Sequence, residues 1–131
     1  MARSSLLSLS FIIITFYAAH AQHTSVTGVW QDSTGTASPF SDCIAIITED
    51  NAGRLTFSHT LKFNEQLFIE QGNGQRKNNK LEYHVYVMHG IPGWSTEGDH
   101  TLTLSEDGNT LRGFYKDNLG NTGPLVFFRK E

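Results

Sequence analysis

The chain has 131 residues with a formal net charge of −3 at neutral pH, and Cys43 is its only cysteine. Its mild acidity argues against nucleic acids and anionic lipid surfaces as partners, because both favour a basic protein face. A single cysteine excludes an internal disulfide, so stability must come from the fold itself.

Residues 1–21 have the pattern of a secretory signal peptide. Arg3 gives a positive start, an apolar run covers residues 6–17, and a small-x-small cleavage site lies at residues 19–21. The apolar run is shorter than the roughly 20 residues that a membrane-spanning helix needs. We therefore expect a secreted or periplasmic (extracytoplasmic) protein without a membrane anchor, with residues 22–131 as its one domain.

The remaining chain alternates between apolar and polar residues with the period of two that is typical of β-strands. Gly, Asn and Asp supply the tight turns between these runs. Successive short connections favour an antiparallel meander, and about eight strands are enough to close a barrel. The predicted strands cover residues 28–31, 43–48, 54–61, 66–71, 80–89, 100–105, 110–116 and 125–130.

The fold class is therefore predicted to be all-β, an eight-stranded antiparallel up-and-down barrel, with a two-sheet sandwich as the structural alternative. The first predicted strand contains Gly28 and Trp30, and the last contains Arg129. This arrangement suits a barrel in which the Trp30 indole plugs one end and the Arg129 guanidinium lies across the indole. Trp30 and Arg129 are thus the predicted structural plug. Residues 72–74, Gly-Asn-Gly, are interpreted as a turn that opens a longer connection.

Trp94 lies in another long connection, residues 90–99, which is rich in Gly and polar residues. Binding residues are often placed on loops that a rigid scaffold supports. Trp94 is therefore a candidate contact for a ligand. It could equally fold back onto the rim of the barrel.

Three histidines share the apolar faces of their predicted strands: His59, His89 and His100. One interpretation is a metal or haem site, since imidazole is a common ligand. The alternative is that His89 and His100 end their strands in solvent while His59 is hydrogen-bonded inside. Their spacing matches no metal motif, so we expect no metal and no cofactor.

Motifs of hydrolytic or phosphate-binding enzymes are missing from the sequence, including Gly-x-Ser-x-Gly, His-Glu-x-x-His and a Gly-rich phosphate loop. We therefore expect a binding protein and not an enzyme.

Three segments resemble the avidin/streptavidin family. Residues 26–36, VTGVWQDSTGT, resemble that family's first strand and turn; residues 53–59, GRLTFSH, resemble its Gly-x-Leu-Thr-Gly-Thr-Tyr segment; and residues 113–115, GFY, resemble its Gly-Gln-Tyr strand. Lipocalins share the Gly-x-Trp start and the late arginine. The resemblance is therefore to calycin-type barrels, which bind small ligands at one end.

The resemblance implies ligand-binding roles for Asp32, Thr36 and His59, which stand where avidins have Asn, Ser and Tyr. The alternative is that Asp32 and Thr36 close a turn through hydrogen bonds from side chain to backbone. An Asp carboxylate cannot donate a hydrogen bond to a ureido oxygen, and this chain has only two tryptophans. We therefore expect a small, partly apolar ligand instead of tight biotin binding. The family's frequent tetramers leave a homo-oligomer open.

The predicted function is non-enzymatic binding of a small ligand, with a polar floor of Asp32, Thr36 and His59 and with Trp94 at the mouth. The alternative is an extracytoplasmic barrel that binds a protein, for example a protease inhibitor that uses the loop of residues 90–99. A large internal cavity favours the first function and a packed centre favours the second.

Overall fold

The computed structural model describes residues 23–131, so the predicted signal peptide lies outside the described residues. The described part contains eight β-strands and one short 3-10 helix after the first strand. The strands are β1 (Gly28–Asp32), β2 (Phe40–Glu49), β3 (Arg54–Phe63), β4 (Gln66–Lys77), β5 (Lys80–His89), β6 (Glu97–Leu104), β7 (Thr110–Asp117) and β8 (Thr122–Arg129), and the 3-10 helix is Ser33–Thr36.

The eight strands form one closed barrel. Each strand pairs antiparallel with the next along the chain, and β8 returns to pair with β1, where Arg129 lies opposite Trp30. Closure satisfies the backbone groups that an open sheet edge would leave unpaired. The predicted up-and-down antiparallel barrel is confirmed, and this architecture is compatible with a calycin-type fold.

Strand β3 illustrates how the sequence pattern sets the inside of the barrel. Its buried residues, Leu55, Phe57, His59 and Leu61, alternate with more exposed ones, because successive side chains of a strand point to opposite faces. The hairpin to β4 turns through residues 64 and 65, both at positive φ. That geometry matches the twist of paired strands.

The prediction of a turn at residues 72–74 is wrong, because β4 runs straight through them. A Cβ atom at Gly72 would overlap the carbonyl oxygen of His84 on β5, and one at Gly74 would overlap that of Glu82. These glycines therefore let two strands approach closely as the wall curves. The turn that joins β4 to β5 lies at residues 78–79 instead.

Strands β2 and β6 begin earlier than predicted, and so does β8, which starts at Thr122 instead of residue 125. Strand β2 starts at Phe40 and contains an irregularity between Ser41 and Ile44, which hides the start of its alternation. Strand β6 starts at Glu97, whose partner is Tyr86 on β5. The added residues at the start of β2 and of β6 include polar side chains. Their backbones pair with the neighbouring strand, although these side chains interrupt the apolar alternation.

The base of the barrel is the end at which β1 begins. Trp30 is fully buried there, and its indole Nε1 donates to the carbonyl of Val26 at 3.0 Å. The guanidinium carbon of Arg129 lies 4.4 Å from the centre of the Trp30 ring, and Arg129 also donates to the carbonyls of Ser25 and Thr27. The segment before β1 is therefore held across the base.

The core consists of two apolar clusters. The larger extends from Trp30 at the base to Phe57 at the centre, and the smaller, around Cys43, Leu61 and Phe68, lies at the opposite end. We call this opposite end the upper end. Burial raises the pKa of the Cys43 thiol, which donates weakly to a backbone carbonyl. No helix in residues 23–131 is both long and apolar enough to cross a membrane.

Candidate ligand site below the upper end

Asp32 ends β1 and caps the 3-10 helix that follows. One carboxylate oxygen, Oδ1, accepts hydrogen bonds from the backbone N–H of Thr34 at 2.9 Å and from its hydroxyl at 2.8 Å. Asp side chains favour this capping role because they satisfy N–H groups that the helix leaves unpaired. The other oxygen, Oδ2, lies 3.0 Å from the His59 ring. The cap therefore holds a carboxylate inside the barrel.

His59 lies between two buried carboxylates. Its Nδ1 is hydrogen-bonded to Oε1 of Glu70 at 3.0 Å. Its Nε2 lies 3.0 Å from Oδ2 of Asp32 as an ion pair, although the N–H direction does not meet hydrogen-bond geometry. All three side chains are at most one-tenth exposed. We call Asp32, His59 and Glu70 the buried triad.

The carboxylates of the triad govern the charge of His59. Burial by itself would lower the pKa of this imidazole, but Asp32 and Glu70 outweigh it and raise the pKa to about 9. His59 is therefore protonated at neutral pH. For Asp32, burial acts to raise the pKa, yet His59 and the Thr34 cap together lower it.

A second buried histidine extends the triad toward the centre. His100 Nε2 lies 3.7 Å from Oε1 of Glu70, and its Nδ1 is hydrogen-bonded to the Tyr83 hydroxyl at 2.9 Å. Burial lowers the pKa of His100 to about 4, so this ring is neutral at pH 7. Burial, followed by the charges of Glu70 and Asp32, raises the pKa of Tyr83.

The buried triad contains more acidic than basic groups. Two carboxylates, from Asp32 and Glu70, contact the single imidazole ring of His59. Within residues 23–131, no lysine or arginine forms an ion pair with Asp32 or Glu70. Such an arrangement is costly in a protein interior, where an uncompensated charge loses its hydration.

Trp94 covers the barrel above the triad. The indole is half-buried among three phenylalanines, with ring centres 5.1 Å from Phe63, 5.4 Å from Phe68 and 6.5 Å from Phe40. Phe68 precedes Glu70 by two residues on β4, so both side chains are on the inner face. The aromatic cluster therefore forms a cap over the charged groups.

Not all of the residues predicted for the site are brought together. Asp32 and His59 are in contact, and Trp94 lies in the aromatic cap. Thr36 is exposed, and its hydroxyl donates to the carbonyl of Ser33 at 2.8 Å, which closes the 3-10 turn. Of the histidines expected to point inward, His89 is exposed.

Side chains fill the centre of the barrel. The Phe57 and Tyr83 rings stack with centres 4.4 Å apart, and Phe127 packs against Phe57 and His59 at 6.2 and 5.7 Å. Two surface depressions of about 640 and 480 Å³ lie on the outer wall, formed mainly by β3 and β4. Neither is lined by Asp32, Thr36, His59 or Trp94.

Sequence reasoning missed Glu70. The available signal was its position two residues after Phe68 in a predicted strand, which places a carboxylate on the apolar face. An acidic residue there indicates either a strand end in solvent or a buried partner. Only the fold identifies that partner as His59, because β3 and β4 pair these two residues.

No group of three or more His, Cys, Asp or Glu side chains within residues 23–131 is arranged to hold a metal ion. Comparisons of the chain with protein-family models, curated proteins and solved structures gave no match. Functional inference therefore depends on the fold and the geometry of the site.

Proposed function

We propose that the protein is a secreted or periplasmic barrel that binds a small, partly apolar ligand without chemical turnover. The ligand would enter at the upper end, contact the aromatic cap around Trp94, and direct a polar group toward the buried triad. The observation that carries this proposal is the burial of two carboxylates, Asp32 and Glu70, against the single imidazole of His59 beneath that cap.

The energetics of burial support a functional role for the triad. Replacing buried ion pairs by apolar residues of similar volume is often neutral or stabilising, so folding alone gives little reason to retain them. Clustered groups with strongly shifted pKa values are typical of functional sites. The excess of acidic groups favours a ligand that presents a hydrogen-bond donor or a positive charge to Glu70.

The packing of the barrel centre favours a second candidate, a protein-binding barrel. Phe57, Tyr83 and Phe127 fill the interior. A protein partner would bind to the outside of the barrel and would leave this packing unchanged. The loop between β5 and β6 exposes Pro92 and Gly93 beside Trp94. In this alternative, the loop inserts into a partner such as an extracellular protease.

Native mass spectrometry of the secreted chain distinguishes the two candidates. We expect the protein as purified, or after incubation with a small-molecule extract of its culture medium, to carry an added small-molecule mass. Added biotin should not bind tightly, because Asp32 cannot donate to the ureido group. A chain that acquires no added mass but inhibits extracellular proteases would contradict the small-ligand proposal.

The Trp94→Ala variant tests the aromatic cap. We expect it to lose the added mass, while Phe114→Ala, which removes an exposed ring from the outer wall of β7, retains it. Because Trp94 is only half-buried, its removal should cost about 1–2 kcal/mol, less than for a fully buried aromatic. Thermal unfolding checks that cost. Equal ligand retention in both variants would exclude Trp94 from the site.

A further inference from the structure

The outer wall of the barrel has a continuous groove. The two depressions of about 640 and 480 Å³ share Thr56 and Asn73, so they are neighbouring parts of one feature. The groove follows the outward faces of β3 and β4 and reaches β5 at Tyr86. We call it the outer groove. It lies on the opposite face of the wall that carries His59 and Glu70 of the buried triad, and its lining does not include Trp94.

Strand register arranges the side chains of the outer groove in two rows. Pairing places Ser58, Gln71 and Tyr86 side by side across β3, β4 and β5. The next row contains Thr56 and Asn73, paired directly. Because neighbouring strands are about 4.8 Å apart, adjacent members of a row can contact the same bound molecule.

The rows are rich in neutral hydrogen-bonding groups. Gln71 and Asn73 are exposed, and within residues 23–131 neither side-chain amide is hydrogen-bonded to another group. Each amide offers both donors and an acceptor, and the hydroxyl of Ser58 does the same, whereas the Thr56 hydroxyl is already hydrogen-bonded to that of Thr48. Gln75, one alternation further along β4, donates to the carbonyl of Ala52 at 3.0 Å. The groove therefore has hydrogen-bonding capacity available for a ligand.

An exposed aromatic ring stands at one end of the groove. Tyr86 is 57% exposed, and its ring packs edge-on against His84 with centres 4.7 Å apart. His84 is itself fixed by Asp99 at 2.6 Å and by Glu97 at 3.0 Å. The Tyr86 ring is thus supported from one side, which lowers the entropy cost of using it as a binding platform.

The ionic groups that line the groove are already paired. Arg54 donates to Asp50 at 2.6 Å, and the Glu49 carboxylate accepts from the buried Arg76 at 3.0 Å. An anionic or cationic ligand would therefore find no unpaired opposite charge among the lining residues. This pairing favours a neutral occupant.

We propose that the outer groove binds a neutral oligosaccharide chain. A pyranose ring has an apolar face of C–H groups that can stack on Tyr86, and its hydroxyls can exchange hydrogen bonds with Gln71, Asn73 and Ser58. The open shape of the groove suits a chain that continues past both ends. This site is separate from the proposed small-ligand site and does not depend on it.

Isothermal titration calorimetry of the intact secreted chain with cellohexaose, maltohexaose and chitohexaose tests the proposal. We expect saturable binding of at least one of these neutral hexasaccharides and none of a hexamer of galacturonic acid, which is anionic. Tyr86→Ala and Asn73→Ala should each weaken binding about tenfold or more, and Tyr86→Phe should retain most of it.

Two controls separate this site from the rest of the molecule. Phe114→Ala removes another exposed ring on a different wall, and Trp94→Ala disrupts the aromatic cap; neither should change saccharide affinity. Circular dichroism verifies that each variant is folded. The proposal is overturned if no neutral hexasaccharide binds, or if Tyr86→Ala and Phe114→Ala have equal effects. It is also overturned if sedimentation shows a dimer that Tyr86→Ala dissociates, because the groove would then be an interface between copies.

Discussion

At the scale of single residues, the barrel contains two buried clusters of ionisable side chains, one with matched acidic and basic groups and one without. Near the base, Arg76 Nη1 donates to both oxygens of Glu49 at 3.0 Å and to the carbonyl of Thr24 at 2.7 Å, and its Nε donates to the carbonyl of Asn78 at 2.6 Å. This group is balanced in charge and well supplied with hydrogen bonds. The buried triad is not balanced, which is why we assign it a function.

The Arg76→Met variant tests the structural role of the balanced pair. We expect a loss of about 3–5 kcal/mol in the unfolding free energy, because Glu49 would remain buried with only the exposed His23 ring as a partner. Arg54→Met is the matched control: Arg54 pairs with Asp50 at the surface, and its loss should cost less than about 1 kcal/mol. Urea unfolding measures both values. Equal losses would show that the Arg76 pair is no more important than a surface contact.

At the scale of strands, inward-facing glycines determine how closely the barrel wall can curve. Gly72 and Gly74 on β4 allow its approach to β5, and Gly113 on β7 does the same toward β6. An alternating sequence identifies the two faces of each strand, but it does not reveal where a Cβ atom would meet the neighbouring backbone. For this reason, a Gly-Asn-Gly segment that resembled a turn is the middle of a strand.

The Gly113→Ala variant tests this role. A Cβ atom there would overlap the carbonyl oxygen of Thr101, so we expect destabilisation of about 2 kcal/mol or more. Gly90→Ala is the control, because its Cβ atom would lie 3.4 Å from the Val87 side chain and meet nothing closer. That substitution should change stability by no more than about 0.5 kcal/mol. Thermal unfolding followed by circular dichroism compares the two; a tolerated Gly113→Ala would contradict the argument.

At the scale of the whole molecule, the two buried histidines should give stability a maximum near pH 6.5. Between pH 6.5 and about 9, folded His59 holds a proton that the unfolded chain has lost, so the unfolding free energy falls as pH rises. Between about pH 4 and 6.5, the unfolded chain binds a proton that folded His100 excludes, so the unfolding free energy falls as pH falls. Each limb should approach about 1.4 kcal/mol per pH unit.

Urea unfolding at a series of pH values measures this profile. His59→Gln should reduce the alkaline limb to the smaller contribution of the more exposed His84, whose pKa Asp99 and Glu97 also raise, and His100→Gln should flatten the acid limb. The exposed His89→Gln variant should retain both limbs and serves as the control. Because the pKa of Asp32 is lowered, this carboxylate contributes to the pH dependence of stability only at pH values below the acid limb. Unchanged profiles in both the His59 and His100 variants would show that other groups determine the pH dependence.

The sequence by itself determined the all-β class and the number of strands. Period-two alternation and turn residues predicted eight antiparallel strands, because the pleat of a strand alternates side chains between two faces and short connections favour pairing of successive strands. Closure into a barrel, instead of a two-sheet sandwich, was decided by the pairing of β8 with β1. Trp30 on the first strand and Arg129 on the last were expected to meet, and the closed barrel brings them within contact distance. Inward orientation of His59 and His100 also followed from this alternation, although the sequence left open whether His100 would end its strand in solvent.

Only the tertiary structure decided which of the inward-facing side chains contact one another. Asp32, His59 and Glu70 come from three different strands, and their contacts depend on the register of β3 with β4 and on the cap that follows β1. Thr36 is separated from them by the 3-10 turn after β1, which its hydroxyl closes. Alternation along a strand fixes the face of each side chain, whereas charge pairing, pKa shifts and the outer groove depend on the register and the distances between neighbouring strands.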